Sequence, residues 1–215
     1  ITYDEMLELA SLGAKVLHPR SVELAKINQV KLCVRSSFDT SKEGTFVVDQ
    51  NQIEKEFVVT GVASDLNVAK IGIFEVPDQP GIANQIFTAL ADAKINVDMI
   101  VQSAMRNNIN DIAFTIPKDD LNKALAIVND LKTSIGFSEV VYADDIAKVS
   151  VVGAGMVSAT GVAAKIFSTL ADAKINLEMI STSEIKVSCI IKNHDDNVKK
   201  AMQRLHDAFE LDKLN

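Results

Sequence analysis

Tryptophan is absent from this 215-residue chain, and two Tyr and nine Phe make up its whole aromatic content. A sheet that reads RNA needs exposed aromatics to stack bases and positive charge to hold phosphates. The second requirement fails as well: 22 Lys and Arg stand against 29 Asp and Glu, a net charge of −7, and this excludes nucleic acid as an expected partner. Cysteine is scarce. Cys33 and Cys189 lie 156 residues apart with neither another Cys nor a His at ligand spacing. That spacing excludes a zinc site and predicts two reduced thiols packed in or beside strands. No stretch reaches the length of a membrane span, and the first twenty residues carry Asp4, Glu5 and Glu8 in place of a basic start and an apolar run. The expectation is a cytoplasmic protein without a signal peptide or membrane partner. His18, His194 and His206 have no Ser, Cys or acid at catalytic spacing, so no chemistry is assigned to them. Ile1 stands where an initiator Met is usual, which reads as a segment of something longer.

What is present is a packed composition, with 47 % hydrophobic and 24 % charged residues, in a chain long enough for two small domains. An internal repeat organises it. Gly81 to Ser103 matches Gly161 to Ser183 at a constant offset of 80, with 14 of 23 positions identical, including the run Ala91 to Asn96 against Ala171 to Asn176.

Each copy begins with a strand-like run (Ala69 to Val76; Lys148 to Val152) that leads through a Gly into an amphipathic helix. Ile86, Phe87 and Leu90, or Ile166, Phe167 and Leu170, mark that helix. A second strand (Val97 to Gln102; Leu177 to Thr182), a third (Asp111 to Ile116; Ile185 to Ile191) and a second helix follow. The last helix is marked by Leu121, Ala124, Leu125, Val128 and Leu131, or by Val198, Ala201, Met202, Leu205 and Phe209. This βαββα unit needs one more strand to complete a ferredoxin-like sheet. Phe57 to Ala63 and Ser138 to Ala143 can each form a hairpin with the strand that follows, so the modules read as ββαββα. The fold class is α+β, with modules at 57–136 and 137–215 and a linker at 49–56. Residues 1–48 lie outside the repeat. There Thr2 and Glu5 form a capping-box signature before a helix, a second helix follows His18-Pro19, and an alternating strand spans Val30 to Arg35 before a Gly44-Thr45 turn.

The segments Ala10 to Ala25 (ASLGAKVLHPRSVELA) and Val34 to Phe38 (VRSSF) resemble the end of the amino-acid-kinase domain of aspartate kinases. Val59 to Ala63 (VTGVA) resembles the entry into the regulatory region of that family. The repeats are similar to its tandem ACT domains, with DxPG at Asp78, Pro80 and Gly81 in the first and GAGM at Gly153 to Met156 and ISTSEIKVS at Ile180 to Ser188 in the second. Met179 stands where many members have Leu. The resemblance implies a regulatory region that binds lysine, threonine or both and conveys feedback inhibition to a catalytic aspartate kinase domain or subunit. It also implies a homodimer through ACT–ACT contacts, with effector held between the first module of one chain and the second of its partner. The lysine- and glycine-rich motif that positions ATP and aspartate in that family has no counterpart here. Catalytic residues are therefore assigned to none of this chain, and ATP and Mg are expected only for the catalytic domain, with no cofactor or metal here.

An amino-acid effector presents a carboxylate, an ammonium and a side chain. Gly81 lets backbone approach closely, and the helix amides from Ile82 and Ala83 onward can hold a carboxylate. Asp78 in the same loop and Asp98 on the second strand are candidate anions for the ammonium, with Gln102 as an adaptable hydrogen-bonding group. Copy two has Ser158 in place of Asp78 and no Pro at 160, which makes its own loop the poorer ammonium site. The resemblance places Asp78, Pro80, Gly81, Ile82, Ala83, Asp98 and Gln102 at effector-contacting positions. It gives Asn176, Leu177, Glu178, Ser181, Thr182, Ser183 and Glu184 as the lining from the second module. Two alternatives stand beside this reading: a stand-alone amino-acid sensor, and a nucleotide-binding fragment suggested by GAGMVS (Gly153 to Ser158) after a strand, in which Ser158 replaces the third fingerprint glycine.

Overall fold

The computed structural model describes residues 1–52 and 57–213. The chain forms two compact units, one made of Ile1–Asp65 with Lys148–Asn215 and the other of Leu66–Ala147. At the start stand α1 (Tyr3–Ser11), α2 (Pro19–Ile27) and a small antiparallel pair, β1 (Leu32–Val34) with β2 (Thr45–Val47). The capping box is present at α1, where the Glu5 N–H donates to the Thr2 hydroxyl and the Glu5 carboxylate accepts from the Thr2 N–H. His18 caps α2 by accepting the Arg20 N–H on Nδ1, with Pro19 in the first turn, where its missing donor costs nothing. Of the segment read as a linker, Gln50–Gln52 forms a single 3-10 turn, and residues 53–56 lie outside the described residues.

The repeat gives β4 (Ala69–Pro77), α3 (Ile82–Asp92), β5 (Ile100–Gln102), β6 (Ile109–Ile116) and α4 (Leu121–Asp130) in copy one. Copy two gives β8 (Ile146–Val152), α6 (Val162–Asp172), β9 (Met179–Thr182), β10 (Lys186–Lys192) and α7 (Asn197–Ala208). The remaining elements are β3 (Gly61–Asp65), the short α5 (Lys132–Ile135) and β7 (Glu139–Ala143). Apolar residues at helical and alternating spacing meet as expected. Ile71, Ile73, Ile86, Leu90 and Phe114 are fully buried in one core, each worth about 1.5–3 kcal/mol in water exclusion. Cys189 is buried in β10, and burial pushes its thiol up to about 12, whereas Cys33 is exposed.

The identical ADAKIN runs are helix terminators. Lys94 and Lys174 adopt φ of 62° and 59°, and their N–H groups donate to Ala91 and Ala171. The next amides, Ile95 and Ile175, reach back to Leu90 and Leu170. This double return is a Schellman motif, closed in each copy by a lysine from the second helix, Lys123 to the Ala93 carbonyl and Lys200 to the Ala173 carbonyl.

Strand pairing corrects the expected ββαββα modules. The sheets run β5-β6-β4-β7 and β3-β8-β10-β9, so neither leading strand forms a hairpin with the strand after it. β3 pairs antiparallel with β8, from Gly61 opposite Val152 to Asp65 opposite Lys148, and β7 pairs antiparallel with β4. Copy one is therefore a complete βαββαβ unit within 66–147, in which β7 follows its second helix and returns beside β4 by a crossover. In copy two the described residues after α7 form only a 3-10 turn, Leu211–Lys213, and β3 fills the matching edge. The modules at 57–136 and 137–215 are replaced by 66–147 and a discontinuous unit. Expected strand 57–63 also shifts to Gly61–Asp65.

The first 48 residues dock on the discontinuous unit. Leu12 packs with Ala63 of β3 and Val152 of β8, alongside Leu9 and Ala14. Gly13 sits at φ 93° with its missing Cβ facing the Ser64 carbonyl at 2.6 Å, so any side chain there would collide with β3. Buried Glu5 ties the two parts polarly: its carboxylate accepts from the Ala154 N–H at 2.7 Å and the Thr60 hydroxyl at 3.0 Å, in addition to the Thr2 N–H and hydroxyl.

Candidate functional site

The corner between β4 and α3 is built by local rules. β4 bulges between Ile73 and Val76, with Glu75 at φ 54° and its N–H held by the Asp111 carboxylate at 3.0 Å. The chain then leaves the sheet at Pro77, and the Asp78 N–H is fixed by the Asn108 carbonyl at 2.9 Å. Gly81 caps the helix at φ 97°, in the left-handed region that favours glycine, and nothing lies within 4 Å of the place its Cβ would take. The space over the corner is open.

Two details refine the expected donors. The Ile82 side chain is buried in the core and its N–H leans on the Gln79 carbonyl at 3.4 Å, so Ile82 holds the turn together. Ala83, exposed one residue later, carries one of the orphan amides that every helix start has. Asp78 and Pro80 are exposed beside it, and the helix dipole there favours an anion by about 0.3–1 kcal/mol. A carboxylate on the amides beside an ammonium on Asp78 is the chemistry this corner can perform.

One residue of the corner escaped the sequence reading. Asn110 of β6 is 5 % exposed, and its Nδ2 donates to the Asp78 Oδ1 at 3.1 Å. Its own Oδ1 is buried with no hydrogen-bond partner among the described residues. In the sequence its only mark is being in step with Ile112, Phe114 and Ile116, and its place opposite Val76 on their inward face comes from the register alone.

The other predicted residues lie along two sheet edges. Gln102 ends β5, opposite Ile112, on the side of the sheet that leads toward the corner. Asp98 precedes β5, and its N–H donates to the Thr115 carbonyl, near the start of β4 and away from the corner. The two acids proposed for one ammonium are thus not brought together. Asn176, Leu177 and Glu178 precede β9, with the Glu178 N–H on the Ile190 carbonyl at 2.8 Å. Ser181 and Thr182 lie on β9 itself, an edge strand. Ser183 and Glu184 turn into β10 and line an open cavity of about 460 Å³ with Thr2, Asp4, Gln50 and Ala154, so this lining is split between an edge and a cavity.

The second glycine cluster does different work. Gly153 and Gly155 lack room for a Cβ because the backbone of Phe57, Val58 and Val59 occupies it, at 2.2 Å from the Val58 carbonyl and 2.6 Å from the Phe57 carbonyl. The Ala154 N–H between them is taken by Glu5. A phosphate has no place there, which removes the nucleotide-binding alternative. The left-handed Gly161 corner is open like that of Gly81, but the preceding residues Ala154–Ser158 form a 3-10 turn and supply no acid.

The family model described as the ACT domain matches residues 75–131 and 149–209. An aspartokinase of Bacillus sp. (strain MGA3) is 44 % identical over 211 residues, 98 % of this chain and 51 % of that protein. The chain thus spans about half the length of such relatives. The regulatory subunit of aspartate kinase from Thermus thermophilus, solved in a ligand-free form, is 43 % identical with a TM-score of 0.66, covering 71 % of this chain and 99 % of that one. A solved structure of aspartokinase alpha and beta subunits is 49 % identical with a TM-score of 0.66, over 71 % of this chain and 99 % of its own.

Proposed function

We propose, on the premise that this chain belongs to the aspartokinase family and carries its ACT modules, that it is the regulatory part of an aspartate kinase and binds lysine, threonine or both. The observation that carries the reading is the open Gly81 corner, where bare amides at the start of α3 can take the carboxylate of a small zwitterion and Asp78, fixed by Asn110, can supply the counter-charge to its ammonium. Binding there shifts the equilibrium between active and inhibited arrangements, with a coupling of roughly 1–3 kcal/mol. The reaction so controlled is transfer of phosphate from ATP to L-aspartate, with ATP and Mg held by the catalytic domain or subunit and no cofactor held here.

Two features support the partners. A relative of this chain was solved as alpha and beta subunits together, consistent with a catalytic partner. β5 and β9 are sheet edges with exposed Ile100, Val101 and Ile180, and such edges invite pairing with a second copy. Among the described residues no helix is long and apolar enough to cross a membrane.

Thermal unfolding in the presence of each of the twenty amino acids at millimolar concentration tests the reading. An effector at a hundred times its dissociation constant adds about 2.7 kcal/mol, so lysine or threonine raises the midpoint and Asp78→Ala abolishes the rise. An unchanged rise in Asp78→Ala moves the site elsewhere.

A further inference from the structure

Asn110 has a feature that packing does not explain. Its amide is buried between the end of β4 and the corner, its Nδ2 spent on Asp78, and its Oδ1 left without a donor among the described residues. A buried carbonyl oxygen without a partner costs about 1–3 kcal/mol, and natural folds complete such a group with an ordered water, an ion or a ligand, or hold it as strain at a functional site. The group next to it is the carboxylate that the effector reading assigns to an ammonium. An ammonium carries three N–H donors in a pyramid, so one carboxylate cannot satisfy it, and a neutral acceptor beside the acid is the complement it needs.

We infer that Asn110 is a specificity-determining residue of the Gly81 corner, whose Oδ1 accepts one N–H of the effector α-ammonium while Asp78 accepts another. The inference rests on the effector reading and deepens it. Asn110 also positions Asp78 through its Nδ2, so acid and amide act as one acceptor pair. Ligands of the same length and carboxylate that lack the α-amine leave the Oδ1 as unsatisfied as it is in the free protein, and the site rejects them.

Calorimetric titration of the full chain with L-lysine and L-threonine, and with 6-aminohexanoate and 3-hydroxybutyrate as their counterparts without an α-amine, tests this. Asn110→Leu keeps the size and removes the acceptor. It weakens the amino acid about tenfold or more and leaves the analogue unchanged, so that discrimination between the two collapses. Asn110→Thr keeps one oxygen that can donate its proton to Asp78 and accept from the ammonium, and it retains the discrimination between amino acid and analogue that Asn110→Leu loses. An Asn110→Leu protein that binds as the parent does overturns the inference and leaves the effector reading standing. Loss of that discrimination to the same extent in Asn110→Leu and Asn110→Thr assigns the residue to packing and also overturns it. Should Asn110→Leu fail to fold, the Asn110→Thr arm decides alone: discrimination within about threefold of the parent's supports the acceptor role, and a loss of it by about tenfold overturns the inference. No heat from either amino acid with the parent chain defeats the effector reading and this inference together.

Discussion

Lys94 and Lys174 hold the left-handed region at the ends of α3 and α6, a conformation that crowds Cβ against the following carbonyl and costs about 1–2 kcal/mol for an L-residue. Glycine avoids that strain but loses more backbone freedom on folding, by about 0.5–1 kcal/mol. Lys94→Gly and Lys174→Gly are each expected to stabilise the protein by about 0.5 kcal/mol, read as a higher urea midpoint with an unchanged slope. A lower midpoint instead would show that the lysine stem contributes packing. The sequence carries the clue to this position only through repetition: the ADAKIN identity marks the spot, and its meaning as a helix terminator comes from the amides of Ile95 and Ile175 turning back. At the same scale the sequence places Asp78, Gly81 and Ala83 at one strand-to-helix turn, and the structure has them there, because a glycine between a strand-like run and an amphipathic run marks such a turn. Asn110 was not legible, because an Asn within an alternating strand reads as a solvent-facing residue until the register puts it opposite Val76.

At the level of elements, the capping box of α1 was visible as Thr2 and Glu5, yet its larger role was not. Local spacing predicts the Thr2 bonds, whereas the Ala154 N–H and the Thr60 hydroxyl come from 149 and 55 residues away. Glu5 thereby fastens α1 to both the 3-10 turn after β8 and the approach to β3. Glu5→Ala leaves the Ala154 amide buried without an acceptor and removes a cap, and a loss of about 3 kcal/mol is expected from charge-assisted bonds of this kind. Hydrogen exchange checks where the loss falls: faster exchange of the Ala154 amide and of α1, with β4 and β6 protected as before. Uniform acceleration across both units would contradict a local fastening role. The GAGM segment carries the opposite lesson. Two glycines after a strand resemble a phosphate loop, but here they give way to the backbone of residues 57–59, and a close approach between distant segments leaves no periodic signature.

At the scale of the whole molecule, the repeat fixed which strands and helices exist, and the misplacement lay in who pairs with whom. A strand ahead of its module and a strand donated from elsewhere carry the same alternating pattern and occupy the same edge, so periodicity cannot separate them. The two-residue stretch Asp144-Asp145 between β7 and β8, and the three residues between β3 and β4, look like hairpin turns in sequence. The fold instead gives β7 to the module that precedes it and β3 to the module that follows 80 residues later. Asp65 opposite Lys148, with carboxylate and ammonium 3.9 Å apart, helps to set the register of the donated strand. This has a consequence for dissection. A fragment cut at 57–136 keeps β3, which has no partner in it, and loses β7, so the edge of β4 beside buried Ile71 and Ile73 is stripped of its neighbour. A fragment of 66–147 retains all four strands and both helices in one continuous stretch. Circular dichroism melts of the two are expected to show a cooperative transition for 66–147 and none, or one at much lower temperature, for 57–136. The reverse order would mean that β3 pairs with β4 after all, and a fragment of 148–213 that melts cooperatively without residues 57–65 would show that the donated strand is dispensable.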